Sequence, residues 1–191
     1  MATNPLLILA SQSPRRKQLL EWAEIPFEVI VHDTDESYPS SLDPEAVPEF
    51  IACAKAIAVL DSLPPTERGR PLLAADTVVV LDGEIIGKPK DREDAINILR
   101  RLSGKEHRVI TGVFILREGR KISFADTTRV CFHALTEAQI VFYVDKYKPY
   151  DKAGAYAIQE WIGVVGIRSV DGDFYNVMGL PVSRVVQALG G

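Results

Sequence analysis

Two cysteines in 191 residues, Cys53 and Cys131, lie far apart in apolar surroundings and exclude a disulfide framework or a cysteine-rich zinc module. A buried pair of thiols is expected, which suits a reducing compartment. Histidine is nearly as scarce: His32, His107 and His133 have no metal-ligand spacing and read as surface or locally paired rings. No apolar run approaches the roughly 18 residues that span a bilayer, and the first residues carry no charged leader. A cytoplasmic chain with no membrane partner is therefore expected. Basic excess is missing too. A net charge of −4 and a pI near 5.4 argue against a nucleic-acid partner held by a broad positive surface, yet leave room for a small anion in a locally basic cleft. There is no nucleophile elbow and no Ser, Cys and His arrangement suited to acyl transfer.

What is present is 47% hydrophobic residues, enough to bury a core in one large domain or two closely joined lobes. Leu6–Ala10 reads as a buried strand, Pro14–Ala23 as a helix and Phe27–Val31 as a second strand, an α/β opening. An acidic, Pro- and Ser-containing loop over His32–Asp43 precedes a helix over Pro44–Leu60. Val47, Phe50, Ile51, Ala54, Ile57 and Ala58 form its apolar face, with Lys55 near the inner edge. Strand Leu72–Leu81 turns at Asp82-Gly83 into Glu84–Ile86, and Asp91 caps a helix running to about Leu102, stopped by Gly104. Arg108–Leu116 and Lys121–Phe132 are long strands joined at Glu118-Gly119, and Thr136–Tyr143 is helical with Thr136 as its cap. Lys148–Gln159 reads as a polar, small-residue segment outside the core. Val164–Val170 and Phe174–Val177 read as strands around Asp171-Gly172-Asp173, before Pro181 opens a terminal helix.

Chemistry concentrates first at Leu6–Arg16, where an apolar run stops at a hydroxyl-rich turn and restarts as a helix. Ser13 suits the cap and Pro14 the first helical position, but Arg15, Arg16 and Lys17 crowd cations where the macrodipole favours acids. A phosphate would accept the helix amides, the Ser11 and Ser13 hydroxyls and a bidentate guanidinium together. The competing reading is a capped amphipathic helix with solvated cations. Asp76-Thr77 puts a carboxylate and a hydroxyl inside an apolar strand, where a carboxylate is costly without a partner or ion. Asp76 could bind a divalent metal, deprotonate water, or form a structural ion pair. Lys88 in Gly87-Lys88-Pro89 is a point charge for phosphate or an exposed hairpin lysine, and the segment is not a Walker A loop. In Tyr150–Gln159, Gly154 and the alanines permit close backbone approach, while the Gln159 amide can donate and accept at a base edge. The alternative there is a tight turn with Asp151 and Lys152 paired at the surface. Asn176–Pro181 is explained by packing and is assigned no chemistry.

Taken together and in order, Ala10-Ser11-Gln12-Ser13-Pro14-Arg15-Arg16, Ala75-Asp76-Thr77, Gly87-Lys88-Pro89, Leu102-Ser103-Gly104, Asp151–Tyr156 and Met178-Gly179-Leu180-Pro181 resemble the Maf family of nucleoside triphosphate pyrophosphatases over nearly the whole chain. The resemblance implies a single domain over residues 1–191 with a mixed, twisted α/β sheet flanked by helices. It also implies two lobes with a central cleft, as in inosine triphosphatase-like proteins. The implied reaction is hydrolysis of a nucleoside triphosphate to monophosphate and pyrophosphate with a divalent metal, Mg or Mn. Asp76 matches the family's proton acceptor; Arg15, Thr77 and Gln159 match positions linked to substrate choice and resemble the subgroup acting on dTTP and UTP. Arg16, Lys55 and Lys88 match basic cleft residues, with Ser11 beside them, and Glu36 resembles an acidic metal-site position together with Asp76. Ala75 and Ala157 stand where glycine is common in the family. A homodimer is a family-level expectation. Two other functions remain open: clearance of modified nucleotides, and nucleotide sensing in cell division without turnover.

Overall fold

The computed structural model describes residues 6–190, so the reading of the first five residues lies outside the described part. Strands β1 (Leu7–Leu9), β2 (Phe27–Val29), β3 (Leu72–Leu81), β4 (Glu84–Ile86), β5 (Glu106–Arg117), β6 (Arg120–Phe132) and β7 (Ile167–Asp171) form one seven-stranded mixed sheet. Its order is β2-β1-β3-β5-β6-β7, with β4 pairing β3. β1 runs parallel to β2 and β3, while β4 and β7 are antiparallel to β3 and β6. The helices are α1 (Pro14–Trp22), α2 (Val47–Ser62), α3 (Arg92–Leu102), α4 (Glu137–Tyr147), α5 (Trp161–Gly166), α6 (Phe174–Met178) and α7 (Val182–Ala188), with a 3-10 turn at Ala153–Ala155. The α/β expectation holds.

The chain divides into two compact units. The first contains the residues up to Asp76, Thr111–Asp126 and those from Gly179 onward; the second contains Thr77–Ile110 and Thr127–Met178. In the first, Ile8, Ala10, Ala52, Ala56, Val59, Leu72, Ala74 and Phe114 form a core between α2 and the sheet. Gly112 sets the approach of α2, because a Cβ there would lie 2.1 Å from Glu49 N and 2.2 Å from Pro48 C. Only a bare backbone permits that contact, so α2 turns its small side, Ala52 and Ala56, inward. Phe50 and Ile57, expected inside, are instead 44% and 48% exposed. The helix also starts at Val47 rather than Pro44, since Asp43 takes Glu45 N on its carboxylate (2.9 Å) and Ala46 N on its carbonyl (2.8 Å) in a separate turn.

Between Thr77 and Ile110, and at α4, local signals are followed closely. Asp91 accepts Asp94 N at 2.9 Å and caps α3, whose buried face is Ala95, Ile96, Ile98, Leu99 and Leu102. Thr136 and Gln139 make a reciprocal capping box on α4. Asp82-Gly83, with φ of 52° and 85°, makes the tight β3–β4 turn, the left-handed geometry that an Asp-Gly pair favours.

The last third departs from expectation. Residues 161–166 form α5 rather than the start of a strand, leaving Val164 81% exposed, because Gly163 packs directly on the Ile158 carbonyl and fixes a helical turn there. Valine's β-preference is overridden by that tertiary contact. Phe174–Met178 is helical, not extended: the Asp173 carboxylate accepts Tyr175 N (2.7 Å) and Asn176 N (3.3 Å), a cap the strand reading missed. Ala155, Tyr156, Ala157 and Ile158 are buried, so the segment ending at Gln159 contributes to the core after all.

Candidate active site

β1, β2 and β3 are parallel, so the carboxyl ends of β1 and β2 point the same way as β3, the edge where open α/β sheets bind ligands. β1 is followed there by Ala10 and Ser11, with Ala10 N donating to Leu73 O at 2.8 Å. The chain then enters α1. The Ser13 side chain makes no capping hydrogen bond; its backbone N–H donates to Ser11 Oγ at 3.3 Å instead. The first turn of α1 contains no acidic residue, and the cap expected of the Ser13 side chain is not made.

Arg16, 8% exposed, points back across this turn. Its Nη1 donates to Ser11 Oγ at 3.0 Å and its Nε to Gly179 O at 2.8 Å. Burial pushes the guanidinium below its ordinary range; Asp76 opposes that shift, Arg15 adds to it and Glu36 opposes it. Those groups therefore share one electrostatic neighbourhood. The Gly179 carbonyl is a participant that sequence reading missed: Asn176–Pro181 was explained by packing, and nothing local couples residues 163 positions apart.

Lys55 reaches from α2 between two carboxylates. Its Nζ lies 2.7 Å from Asp76 Oδ1 on β3 and 2.8 Å from Glu36 Oε1 in the loop before α2. The lysine and Asp76 side chains are 18% and 13% exposed, Glu36 54%. The structure thus brings Ser11, Arg15, Arg16, Glu36, Lys55 and Asp76 together within the first unit. Removing the lysine would leave Asp76 mostly buried without its ammonium partner.

The other expected site residues belong to the second unit. Thr77 follows Asp76 in β3, and Lys88 is exposed in the Gly87–Pro89 turn. Gly87 O accepts Gly154 N at 3.2 Å, tying that turn to the segment leading to Gln159. A Cβ on Gly154, at φ 70°, would meet Val79 Cγ2 at 2.9 Å, so glycine is required for both its conformation and its fit. Gln159 is exposed, on a turn closed by Glu160 N donating to Ala157 O at 3.1 Å. Lys152 is paired with Asp151 at 2.7 Å but is not at the surface, its side chain being only 11% exposed.

Among the described residues no group of three or more His, Cys, Asp or Glu side chains is arranged to hold a metal by itself. Glu36 and Asp76 supply oxygen ligands only, a donor set that fits a hard cation arriving on phosphate oxygens, since Mg²⁺ is commonly held by one or two carboxylates plus substrate phosphates. Cys53 and Cys131 are both free thiols, but only Cys131 is buried as expected: Cys53 packs at the margin of the α2 core and is half-buried. His107 is buried, its Nε2 2.7 Å from the Tyr156 hydroxyl and its ring stacked on Phe132, as a locally paired histidine. No helix of the described residues is long and apolar enough to cross a membrane.

A Porphyromonas gingivalis protein named dTTP/UTP pyrophosphatase is 49% identical over 184 residues, 96% of this chain and 92% of that protein. A Parabacteroides distasonis protein of the same name is 47% identical over 184 residues, 96% of this chain and 94% of that protein. Among solved structures, the Staphylococcus aureus Ham1 protein covers 96% of each chain at 16% identity and a TM-score of 0.49. The sequence pattern of the family described as Maf-like protein matches residues 6–191. The chain belongs to the Maf-like protein family.

Proposed function

We propose that this protein hydrolyses dTTP and UTP to the nucleoside monophosphate and pyrophosphate. The observation that carries the reading is the Lys55 ammonium bound by both Asp76 and Glu36, beside a buried Arg16. Its substrate class follows the names of relatives nearly half identical over almost the full chain.

In the first unit Arg15, Arg16 and Lys55 bind phosphate oxygens. Arg16 is already oriented by Ser11 and the Gly179 carbonyl, so little rotamer freedom remains to be lost on binding. Glu36 and Asp76 would hold a divalent cation, Mg²⁺ or Mn²⁺, which would supply charge neutralisation on the phosphates. Asp76 orients a water and takes its proton as the water oxygen bonds to the α-phosphorus. The bond from that phosphorus to the bridging oxygen breaks, and pyrophosphate leaves carrying the electron pair. Thr77, Lys88 and Gln159 are assigned to the substrate on their motif positions; the Gln159 amide suits the O4 and N3–H of thymine or uracil, one donor and one acceptor. The two free thiols fit a reducing, cytoplasmic setting.

Asp76→Asn tests the reading, because it keeps side-chain size while removing charge and basicity. We expect pyrophosphate release to fall about 10³-fold at unchanged melting temperature. A folded variant that releases pyrophosphate at the original rate overturns the assignment.

A further inference from the structure

The Gln159 turn is fastened by a hydroxyl that the reaction itself does not require. Tyr143, on α4, is 0% exposed. Its hydroxyl accepts Ala157 N at 3.1 Å and donates to Glu160 Oε2, so one oxygen grips both ends of the four-residue turn that presents Gln159. The Lys152 ammonium lies 3.6 Å from the other Glu160 oxygen, and Gly163 lets α5 press on the Ile158 carbonyl from below. Glu160 stands at the N-cap of α5, yet its side chain makes no capping bond. The carboxylate is turned toward Tyr143 and Lys152, while the Glu160 carbonyl accepts Gly163 N at 2.9 Å and Val164 N at 3.3 Å.

We propose that Tyr143 is a positioning residue for base selection: with Glu160 and Lys152 it fixes the turn so that the Gln159 amide meets the pyrimidine edge in one orientation. This rests on the assignment of Gln159 to the base. Tyr143 touches no reacting atom, so its loss should blur discrimination while leaving phosphate chemistry in place. Displacements near 1 Å in a binding group can cost about 100-fold in rate, so even a small shift of the turn on losing the hydroxyl would register in substrate preference.

The experiment compares kcat and KM for dTTP, UTP and CTP in the parent protein, Tyr143→Phe, Gln159→Ala and the double variant, with melting temperatures recorded for each. Tyr143→Phe is expected to lower the dTTP-over-CTP preference in kcat/KM about tenfold, chiefly through KM, with kcat for dTTP nearly unchanged. In the Gln159→Ala background the same substitution should change the preference no further. Glu160→Gln, which weakens the Lys152 side of the clamp, should shift the preference in the same direction by less, and serves as the test if Tyr143→Phe does not fold. If Gln159→Ala abolishes the preference but folded Tyr143→Phe or Glu160→Gln keeps it, the clamp is wrong and the Gln159 assignment stands. If Gln159→Ala itself keeps the preference, the base assignment fails and the clamp falls with it.

Discussion

Around Lys55, charged groups meet from a strand, a helix and a loop, and one of them, Glu36, is still 54% exposed; around Gln159, the backbone is held by a hydroxyl that sees no solvent. The first region is organised by ion pairs, which under the proposed reading exchange one anion for another when a polyphosphate binds. The second is organised by directional hydrogen bonds and a glycine contact that permit one arrangement. Phosphate binding tolerates adjustable cations, because the ligand supplies many equivalent oxygens. Base recognition does not, because a single donor and acceptor must be aligned at once.

The contrast breaks most sharply at Asp76. The roughly 10³-fold loss expected of Asp76→Asn should appear in kcat at intact melting temperature, since Lys55 keeps Glu36 as a partner. At the Gln159 turn the largest effect should be on stability. In Gly163→Ala the new Cβ would lie 1.7 Å from Ile158 O, and the chain must move; we expect a loss of about 3 kcal/mol or more in denaturant unfolding. A variant as stable as the parent would mean the turn is not backbone-limited.

His107 gives a pH test in the same unit. Burial pushes its pKa down to about 4, below the ordinary value of 6.5. The unfolded chain therefore takes up this proton first as acid is added. Stability from this group is intact above about pH 6.5 and is lost as pH falls toward 4, by about 3 kcal/mol in total. His107→Gln should flatten that part of the stability profile, and an unchanged slope would contradict it. The smallest effect belongs to Asp91→Ala, which removes the bond to Asp94 N and should cost about 1 kcal/mol in thermal unfolding without altering kinetics.

Legibility in the sequence followed the range of the interaction. The α3 cap, the Asp82-Gly83 and Glu118-Gly119 turns and the amphipathic face of α3 were all readable, because their causes lie within a few residues. Asp76 was readable as well, since a carboxylate in an apolar strand demands a partner, though the identity of that partner was not. The inward face of α2 was misjudged because Gly112, far along the chain, decides which side approaches the sheet. The helices at Trp161–Gly166 and Phe174–Met178 read as strands for a related reason: Gly163 against Ile158 and the Asp173 cap outweigh β-branched and aromatic composition.

Residue types and their short spacings determined by themselves the α/β class, the turns, the cation cluster at Arg15-Arg16 and the family. Tertiary structure alone decided that Lys55 would stand between Glu36 and Asp76, that Gly179 would orient Arg16, and that Tyr143 would fasten the turn under Gln159. The physical reason is that a cap or turn is satisfied by neighbours in the chain. A buried charge or hydroxyl is satisfied by whatever polar atom the packing brings within 3 Å or so, and distance along the sequence does not enter.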